Sequence, residues 1–170
     1  MIIRKVYIDM DGVLADFERG VQELAGMMPT PINGRRDAGY DDRMWTAIRK
    51  VEHFYGRLKP MPEARAMFDA IRAGFGDRCE ILTGIPKPRR GILHAREDKL
   101  EWVRRLLDKD IVTNVVLREE KPRYCTGRDC VLIDDSERNI FEWESTGGTG
   151  ILFTGPEETL AALGRIAQED

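Results

Sequence analysis

Short apolar runs alternate with stretches of helical spacing along the whole chain. The runs rich in Val, Ile and Leu are residues 6–8, 79–84, 114–118, 130–133 and 150–153. Each has the length of a buried strand, and apolar residues recur every three or four positions in most segments between them. Strands that alternate with helices predict βαβ units. The expected fold class is therefore α/β, with a three-layer Rossmann-like parallel sheet.

The helical spacing predicts four main helices. The first is expected directly after Gly12, and the second begins near Pro62. A third is expected over residues 97–108, and the last begins at Pro156. The residues expected to face the core are Val13, Leu14, Phe17 and Val21; Met67, Ala70 and Ile71; Leu100, Val103, Leu106 and Leu107; and Leu160, Leu163 and Ile166.

A segment of different composition interrupts this alternation. Residues 32–59 are rich in Gly, Arg and Asp and lack a strand pattern, which indicates a small, mostly helical insertion. The predicted organisation is a core domain of residues 1–17 and 60–170, with a helical cap of residues 18–59 inserted after the first strand. Aromatic residues scattered through the cap form either a small core or a surface on which a planar ligand stacks. They are Tyr40, Trp45, Phe54 and Tyr55.

Composition narrows the classes of function. The chain has 170 residues, 42% hydrophobic and 34% charged, which is typical of a globular protein with a real core. A net charge of −3 argues against binding nucleic acid through overall charge, but it permits a local basic pocket for an anion. No stretch reaches the roughly 18 apolar residues of a membrane span, and the N-terminus lacks a signal-peptide pattern. The expected location is the cytoplasm, without membrane partners, and a homodimer is left open.

The three cysteines do not indicate a metal centre. Cys79, Cys125 and Cys130 form no CxxC pair, and the chain has only two histidines. A zinc site would need a denser set of Cys and His ligands. We therefore interpret the cysteines as small hydrophobic residues.

Two aspartates follow the first strand and predict a cation site. Asp9 and Asp11 are two residues apart, so in an extended chain their carboxylates share a face. At about 4 Å and an effective dielectric constant near 20, two such charges repel by roughly 4 kcal/mol, or about three pKa units. Either one carboxyl keeps its proton or a cation lies beside both. Mg²⁺ is the expected cation, because Val13 and Leu14 break the pattern of a calcium-binding EF-hand loop.

Other polar residues stand at the ends of the later strands. Thr83 follows the second strand, Lys121 follows the third, and Asp134 and Asp135 follow the fourth. Taken singly, Thr83 is better explained as a helix cap and Lys121 as a solvated charge. Parallel strands, however, bring their carboxyl ends to one edge of the sheet, where open α/β sheets bind ligands. The set therefore predicts one site.

That set contains the groups that phosphoryl transfer requires. Asp9 can attack phosphorus and form an aspartyl-phosphate, and Asp11 can protonate the leaving oxygen and then activate water. Asp9 and Asp134 can hold Mg²⁺, while Thr83 and Lys121 bind the transferred group. Lys99, in the third helix, competes with Lys121 for the lysine role. Lys121 is preferred because it follows a strand.

The order of these motifs resembles the haloacid dehalogenase superfamily of phosphatases. More narrowly, DMDGVLADFERG, PMPEA, ILTGIP, KLEWVRRLL, VLIDD and GILFTG are similar to the 5′(3′)-deoxyribonucleotidases, from Val6 to about Leu163. The resemblance implies a Mg²⁺-dependent phosphomonoesterase acting on nucleoside monophosphates. It implies Asp9 as nucleophile and metal ligand, Asp11 as acid/base that also offers its backbone carbonyl to the metal, and Asp135 as support for Asp134.

The resemblance also implies residues that bind substrate. Phe17 and Trp45 fall where the family places aromatic residues around the base, and Gly84 stands where animal relatives tend to have Ser. Lys87 and Arg89, in the loop after Thr83, either contact the phosphate or sugar or form a solvated basic loop.

Two alternatives remain open at this stage. The first is a phosphatase for another small phosphate ester or for a nucleic-acid terminus, against which the negative net charge argues. The second is a phosphoacceptor signalling domain, which also combines acidic residues, Thr and Lys on a parallel sheet. In such a domain the adjacent acidic pair follows the first strand, whereas here it comes last.

Overall fold

The centre of the fold is a five-stranded sheet in which all neighbouring strands are parallel. The computed structural model describes residues 1–28 and 38–168. The strands are β1 (Lys5–Ile8), β2 (Cys79–Ile85), β3 (Thr113–Leu117), β4 (Cys130–Asp134) and β5 (Thr149–Leu152), and their spatial order is β3-β2-β1-β4-β5. Phosphoacceptor receiver domains have the order 2-1-3-4-5. The sheet therefore differs from that of the signalling alternative.

Six helices accompany the strands in the described part of the chain. They are α1 (Phe17–Glu23), α2 (Tyr40–Ile48), α3 (Ala64–Phe75), α4 (Ala95–Leu106), α5 (Glu137–Ser145) and α6 (Pro156–Gln168). Short 3₁₀ turns cover Tyr55–Arg57, Gly76–Arg78, Pro88–Arg90 and Arg118–Tyr124. Asp16 caps α1 by accepting a hydrogen bond from the Arg19 backbone N–H, and Ser136 caps α5 in the same way with Asn139.

The sheet carries an apolar core on each face. Val6, Ile8 and Ile81 point to one face, where they pack in a cluster with residues of α3, α4 and α6. Tyr7, Leu82 and Leu132 alternate with them and point to the other face, where Trp143 of α5 covers them. The alternation follows from the two-residue period of a strand. The three-layer α/β fold predicted from the sequence is confirmed.

Some predicted helical positions differ from the structure. Val13 and Leu14 are buried in the loop after β1, and the helix expected directly after Gly12 begins only at Phe17. The apolar residues that bury this loop have the same spacing along the chain as the apolar face of a helix. Ala70 is exposed and Phe68 is buried, so the buried face of α3 is formed by Ala64, Met67, Phe68 and Ile71. Leu160 of α6 is also largely exposed.

The segment predicted as a cap packs directly on the core. Met44, Ile48, Phe54 and Tyr55 belong to the same apolar cluster as the first face of the sheet. The aromatic residues of this segment thus do not form a separate small core among the described residues. Residues 29–37, where the insertion was expected to start, lie outside the described part. No helix in the described ranges is long and apolar enough to cross a membrane.

Candidate active site

The candidate site lies at the point where the strand order reverses. β1 and β4 are neighbours, with Ile8 beside Ile133, and the Asp9 backbone N–H donates to the Ile133 carbonyl at 2.9 Å. The connections leave β1 toward β2 on one side and return to β4 on the other, so a crevice opens outside their carboxyl ends. Asp9 and Asp134 are buried at the floor of this crevice. Adjacency of β1 and β4, although they are far apart in sequence, brings the two acidic motifs together.

The loop after β1 turns back sharply to place Asp11 above Asp9. The carbonyl of Met10 accepts backbone hydrogen bonds from Leu14 and Ala15, both at 2.8 Å. Gly12 has φ +79°, and a Cβ there would lie 2.0 Å from Oδ2 of Asp135. Position 12 therefore requires glycine for two reasons, the backbone conformation and the close approach of Asp135.

Lys121 bridges the two buried aspartates. Its Nζ lies 2.8 Å from Oδ1 of Asp9 and 2.7 Å from Oδ2 of Asp134. Burial alone would lower the pKa of Lys121, but the carboxylates of Asp9 and Asp134 outweigh it and hold the pKa above its usual value. The ammonium is thus permanently charged at neutral pH. It offers a fixed positive charge beside the proposed nucleophile.

Lys99 reaches the same edge from α4. This lysine is fully buried, and its Nζ donates to Oδ2 of Asp11 at 2.6 Å and to Oγ1 of Thr83 at 2.9 Å. The ring of Tyr55 lies beneath it, 4.5 Å from Nζ to the centroid. The sequence offered Lys99 and Lys121 as alternatives for one role, but both lie at the site. Lys99 pairs with Asp11, and Lys121 pairs with Asp9 and Asp134.

Three carboxylates lie close enough together to hold a cation. One oxygen from each of Asp9, Asp134 and Asp135 lies within 4.8 Å of the others. Burial, followed by the charge of Asp9, raises the pKa of Asp134 to about 6. Asp135 is exposed on its outer side, but its carboxyl faces the cluster. Partial desolvation and the charges of Asp9 and Asp134 raise its pKa to about 7. Asp11 is not one of these three carboxylates, and its carboxylate forms an ion pair with Lys99 instead.

Two residues of the site were missed in the sequence. Asn139, in α5, donates from Nδ2 to both oxygens of Asp134 at 3.0 Å. Arg118 donates from Nη1 to Oδ1 of Asn139 at 3.2 Å and to Oε2 of Glu142 at 2.7 Å. The only sequence signal was the position of Asn139, in the first turn of a helix that starts immediately after the acidic pair. Arg118 carried no such signal.

A cavity of about 240 Å³ opens above the aspartates. Its apolar wall includes Phe17 and Trp45, whose ring centroids are 6.2 Å apart, and Tyr55, 6.3 Å from Phe17. Gly84 lines the cavity as well, together with Asp9, Asp11, Met44, Ile85, Pro86, Arg118, Lys121 and Asn139. Phe17, Trp45 and Gly84 therefore line the same cavity as Asp9 and Asp11, and their contact with a substrate stays a prediction.

The two predicted basic contacts lie elsewhere. Lys87 and Arg89 are exposed and do not line this cavity. Lys87 forms an ion pair with Glu119 at 3.3 Å. The 3₁₀ turn Pro88–Arg90 instead directs Arg90 toward α2, where its Nη1 lies 2.5 Å from Oδ1 of Asp42. The basic part of this loop, residues 87–90, thus contacts neighbouring segments in this structure, whereas Gly84, Ile85 and Pro86 before it line the cavity.

Comparisons with known proteins agree with this arrangement. A protein of Vibrio phage KVP40 named "Putative 5'(3')-deoxyribonucleotidase" is 31% identical over 134 residues, which are 79% of this chain and 67% of that protein. No family model matches the chain.

Solved structures share the fold. A hydrolase from Streptococcus pneumoniae TIGR4 superposes with a TM-score of 0.56 at 14% identity, over 96% of this chain and 100% of that one. A HAD family hydrolase from Deinococcus radiodurans R1, solved with bound phosphate and sodium, has a TM-score of 0.51 at 19% identity, over 97% and 88% of the two chains. The phage relative shows that the chain belongs to the 5′(3′)-deoxyribonucleotidase family of phosphoric monoester hydrolases, and the solved structures show that its fold is that of haloacid dehalogenase-like hydrolases.

Proposed function

We propose that this protein is a Mg²⁺-dependent phosphomonoesterase that dephosphorylates nucleoside monophosphates, with deoxyribonucleotides as the favoured class. The observation that carries the proposal is the combination of two lysine-paired aspartates, Asp9 and Asp11, with an aromatic-walled cavity directly above them. The acidic and basic groups suit phosphoryl transfer, and the aromatic wall suits a planar base. The cap of residues 18–59 supplies Trp45 and Tyr55 to this wall.

In the proposed reaction Asp9 is the nucleophile. One carboxylate oxygen attacks phosphorus, the P–O bond to the nucleoside breaks, and Asp9 carries the phosphoryl group as an acyl-phosphate. Lys121 and the pair Lys99–Thr83 flank the position of the transferred group, where their N–H and O–H groups can donate to its oxygens. Water then attacks phosphorus, releasing phosphate and restoring the Asp9 carboxylate.

Asp11 is suited to move the protons of both steps. Desolvation raises the pKa of Asp11 above its ordinary value, although Lys99 opposes this effect. The carboxyl can therefore hold a proton and give it to the leaving nucleoside oxygen. As a carboxylate it then accepts a proton from the attacking water. The same residue thus serves in both halves of the reaction.

Asp9, Asp134 and Asp135 are the side chains that would hold Mg²⁺. Oxygen ligands of this kind fit the ion, and burial together with the neighbouring carboxylates raises the pKa values of Asp134 and Asp135 although Lys121 opposes this, so a further cation beside them would stabilise their charged forms. Asn139 orients Asp134 through both of its oxygens. When bound, the cation would neutralise the negative charge of the substrate phosphate next to Asp9.

Thermal stabilisation by Mg²⁺ should depend on pH. Because the folded-state pKa values of Asp134 and Asp135 are raised, these carboxyls are protonated in acid, and their ionisation on raising the pH destabilises the protein without a cation. Saturating Mg²⁺ should raise Tm by roughly 5–10 °C near pH 7.5. Near pH 5.5 it should raise Tm much less. Differential scanning fluorimetry with and without Mg²⁺ measures this, and an equal Tm shift at both pH values would contradict the assignment.

Trp45→Ala should weaken binding of nucleotides selectively. Stacking of a base on an aromatic ring contributes about 1–3 kcal/mol, so KM for a nucleoside monophosphate should rise roughly 5-fold to 100-fold. KM for a small ester without a base, such as glycerol phosphate, should change little. Phe141→Ala, at an exposed ring of α5, is the matched control. A parallel rise for both substrates would show that Trp45 does not contact the base.

A panel assay of phosphate release tests the whole proposal. Purified protein with Mg²⁺ should hydrolyse dUMP and dTMP faster than the ribonucleotides, sugar phosphates and a 5′-phosphorylated oligonucleotide. Faster release from the oligonucleotide or from a sugar phosphate would move the substrate class to one of the alternatives. Release from no member of the panel would reject the proposed function.

A further inference from the structure

The first turn of α4 carries a buried carboxylate that the proposed reaction does not use. Asp98 directly precedes Lys99 and is itself buried. Its Oδ1 lies 2.7 Å from Nδ1 of His53, while its Oδ2 meets no donor among residues 1–28 and 38–168. An ionised carboxylate is costly to bury unless it is paired, so the contact with His53 is what compensates Asp98 in the described structure.

The backbone on both sides of this contact is held in an unusual conformation. His53 has φ +52° and His94 has φ +63°, in the left-handed region that L-residues seldom adopt. The two imidazole rings stack with centroids 4.9 Å apart and an angle of 27°. The carbonyl of His94 accepts the backbone N–H of Asp98 at 2.8 Å. Such strain persists only where the surrounding contacts fix the geometry.

The segment 53–58 is fastened to α4 along its length. Nη2 of Arg105 donates to the carbonyl of Gly56 at 2.8 Å, and Nε1 of Trp102 donates to the carbonyl of Leu58 at 2.8 Å. Between these anchors and His53 lies Tyr55, whose ring contacts the ammonium of Lys99. One short segment therefore brings His53 to Asp98 and Tyr55 to Lys99, on either side of the same helical turn.

We infer that His53 and Asp98 form a positioning pair that holds the first turn of α4 against segment 53–58 and so keeps Lys99 between Asp11 and Thr83. The inference rests on the proposed function, in which Lys99 serves the phosphoryl group. Neither member of the pair lines the cavity above the aspartates. Both act through Lys99 and Tyr55, which do lie at the site.

The pair is an ion pair only while His53 is protonated. The hydrogen bond that His53 Nδ1 donates to Asp98 and the negative charge of Asp98 raise the pKa of His53, and Glu52, 4.0 Å from Nε2, adds to this. The other charged or titratable groups beside His53 are Arg49 and Lys50 of the preceding segment and His94 of the α4 end. A raised histidine pKa means that the stabilisation is complete in acid and is lost as the pH rises through that pKa.

Two substitutions separate the charge of the pair from its shape. His53→Asn tolerates the left-handed backbone and keeps an amide donor near the position of Nδ1, but it cannot become charged. Asp98→Asn preserves the shape of the buried side chain and removes the negative charge. Glu52→Gln is the matched control, because it removes an exposed carboxylate beside the same histidine.

Steady-state kinetics of phosphate release across a pH series provide the main test. Displacement of a catalytic group by about 1 Å can cost about 100-fold, so for a smaller displacement we expect both variants to lower kcat roughly 5-fold to 20-fold near pH 6, with KM changed less than about 2-fold. The deficit of His53→Asn should shrink as the pH rises through the raised pKa of wild-type His53, because the wild-type residue is then neutral as well. Glu52→Gln should stay within about 2-fold of wild type throughout.

The NMR shift of the Lys99 ε-carbon gives a second readout that does not require turnover. It should move in folded Asp98→Asn protein and remain unchanged in Glu52→Gln. An unchanged shift together with wild-type kcat in Asp98→Asn would overturn the inference, as would an equal loss in the control. If wild-type protein releases no phosphate from any ester, the proposed function fails. The Lys99 shift then decides the positioning role by itself.

Discussion

Asp9→Asn is expected to abolish phosphate release while leaving the protein folded. The amide cannot attack phosphorus as a carboxylate does, so kcat should fall roughly 10⁴-fold or more. Stability should be kept or increased in the absence of a cation, because the substitution removes one of several carboxylates that repel one another at the crevice floor. Lys121 still pairs with Asp134 in this variant.

The comparison for this prediction uses a second aspartate of the same loop. Asp16→Asn keeps a good helix cap for α1 and should retain activity within about 2-fold. Acid quenching during turnover of a phosphorus-labelled substrate should trap label on wild-type protein and on Asp16→Asn, but not on Asp9→Asn. Turnover by a folded Asp9→Asn protein would exclude Asp9 as the nucleophile.

The acidic edge of the sheet could be predicted from sequence because its residues stand next to buried strands along the chain. Asp9, Thr83 and Asp134 each follow a recognisable buried strand, and parallel strands must bring those ends to one edge. Because β1 and β4 are neighbours in the sheet, Asp9 and Asp134 then lie side by side at that edge. This is why the aspartates, the threonine and the sheet were all found in the pattern.

Residues on helices and loops were harder to place for a physical reason. Whether Lys99 reaches Thr83 depends on the docking of α4 on the sheet, which no pattern along the chain encodes. Asn139 depends in the same way on α5. The sequence left open whether the basic loop contacts substrate or solvent, because the charge of a side chain does not determine where it points, and in the structure the 3₁₀ turn directs Arg90 to Asp42. The apolar spacing of Val13 and Leu14 was ambiguous between a helix and a buried loop.

Lys121→Met is expected to produce the largest loss of stability. The variant removes the positive charge between Asp9 and Asp134 and leaves both carboxylates buried without this cation, although Asp134 still accepts hydrogen bonds from the Asn139 amide and the Ser136 backbone N–H. Removing one partner of a buried ion pair costs about 3–5 kcal/mol of unfolding free energy. Turnover should also fall about 10²-fold to 10³-fold, because a donor to the phosphoryl group is lost.

The pH dependence and a second substitution decide whether the loss is electrostatic. Without Lys121 the pKa of Asp134 rises further, so the penalty should be present at neutral pH and relieved as falling pH protonates this carboxyl. Adding Asp134→Asn to Lys121→Met should recover part of the lost stability, while Lys87→Met, at an exposed ion pair, should change it by less than about 0.5 kcal/mol. Urea titrations of the four proteins at two pH values measure these differences. A loss that persists unchanged in acid, or that Asp134→Asn does not relieve, would mean that Lys121 acts through packing. In that case the ion pairs with Asp9 and Asp134 would not be what holds the crevice floor together.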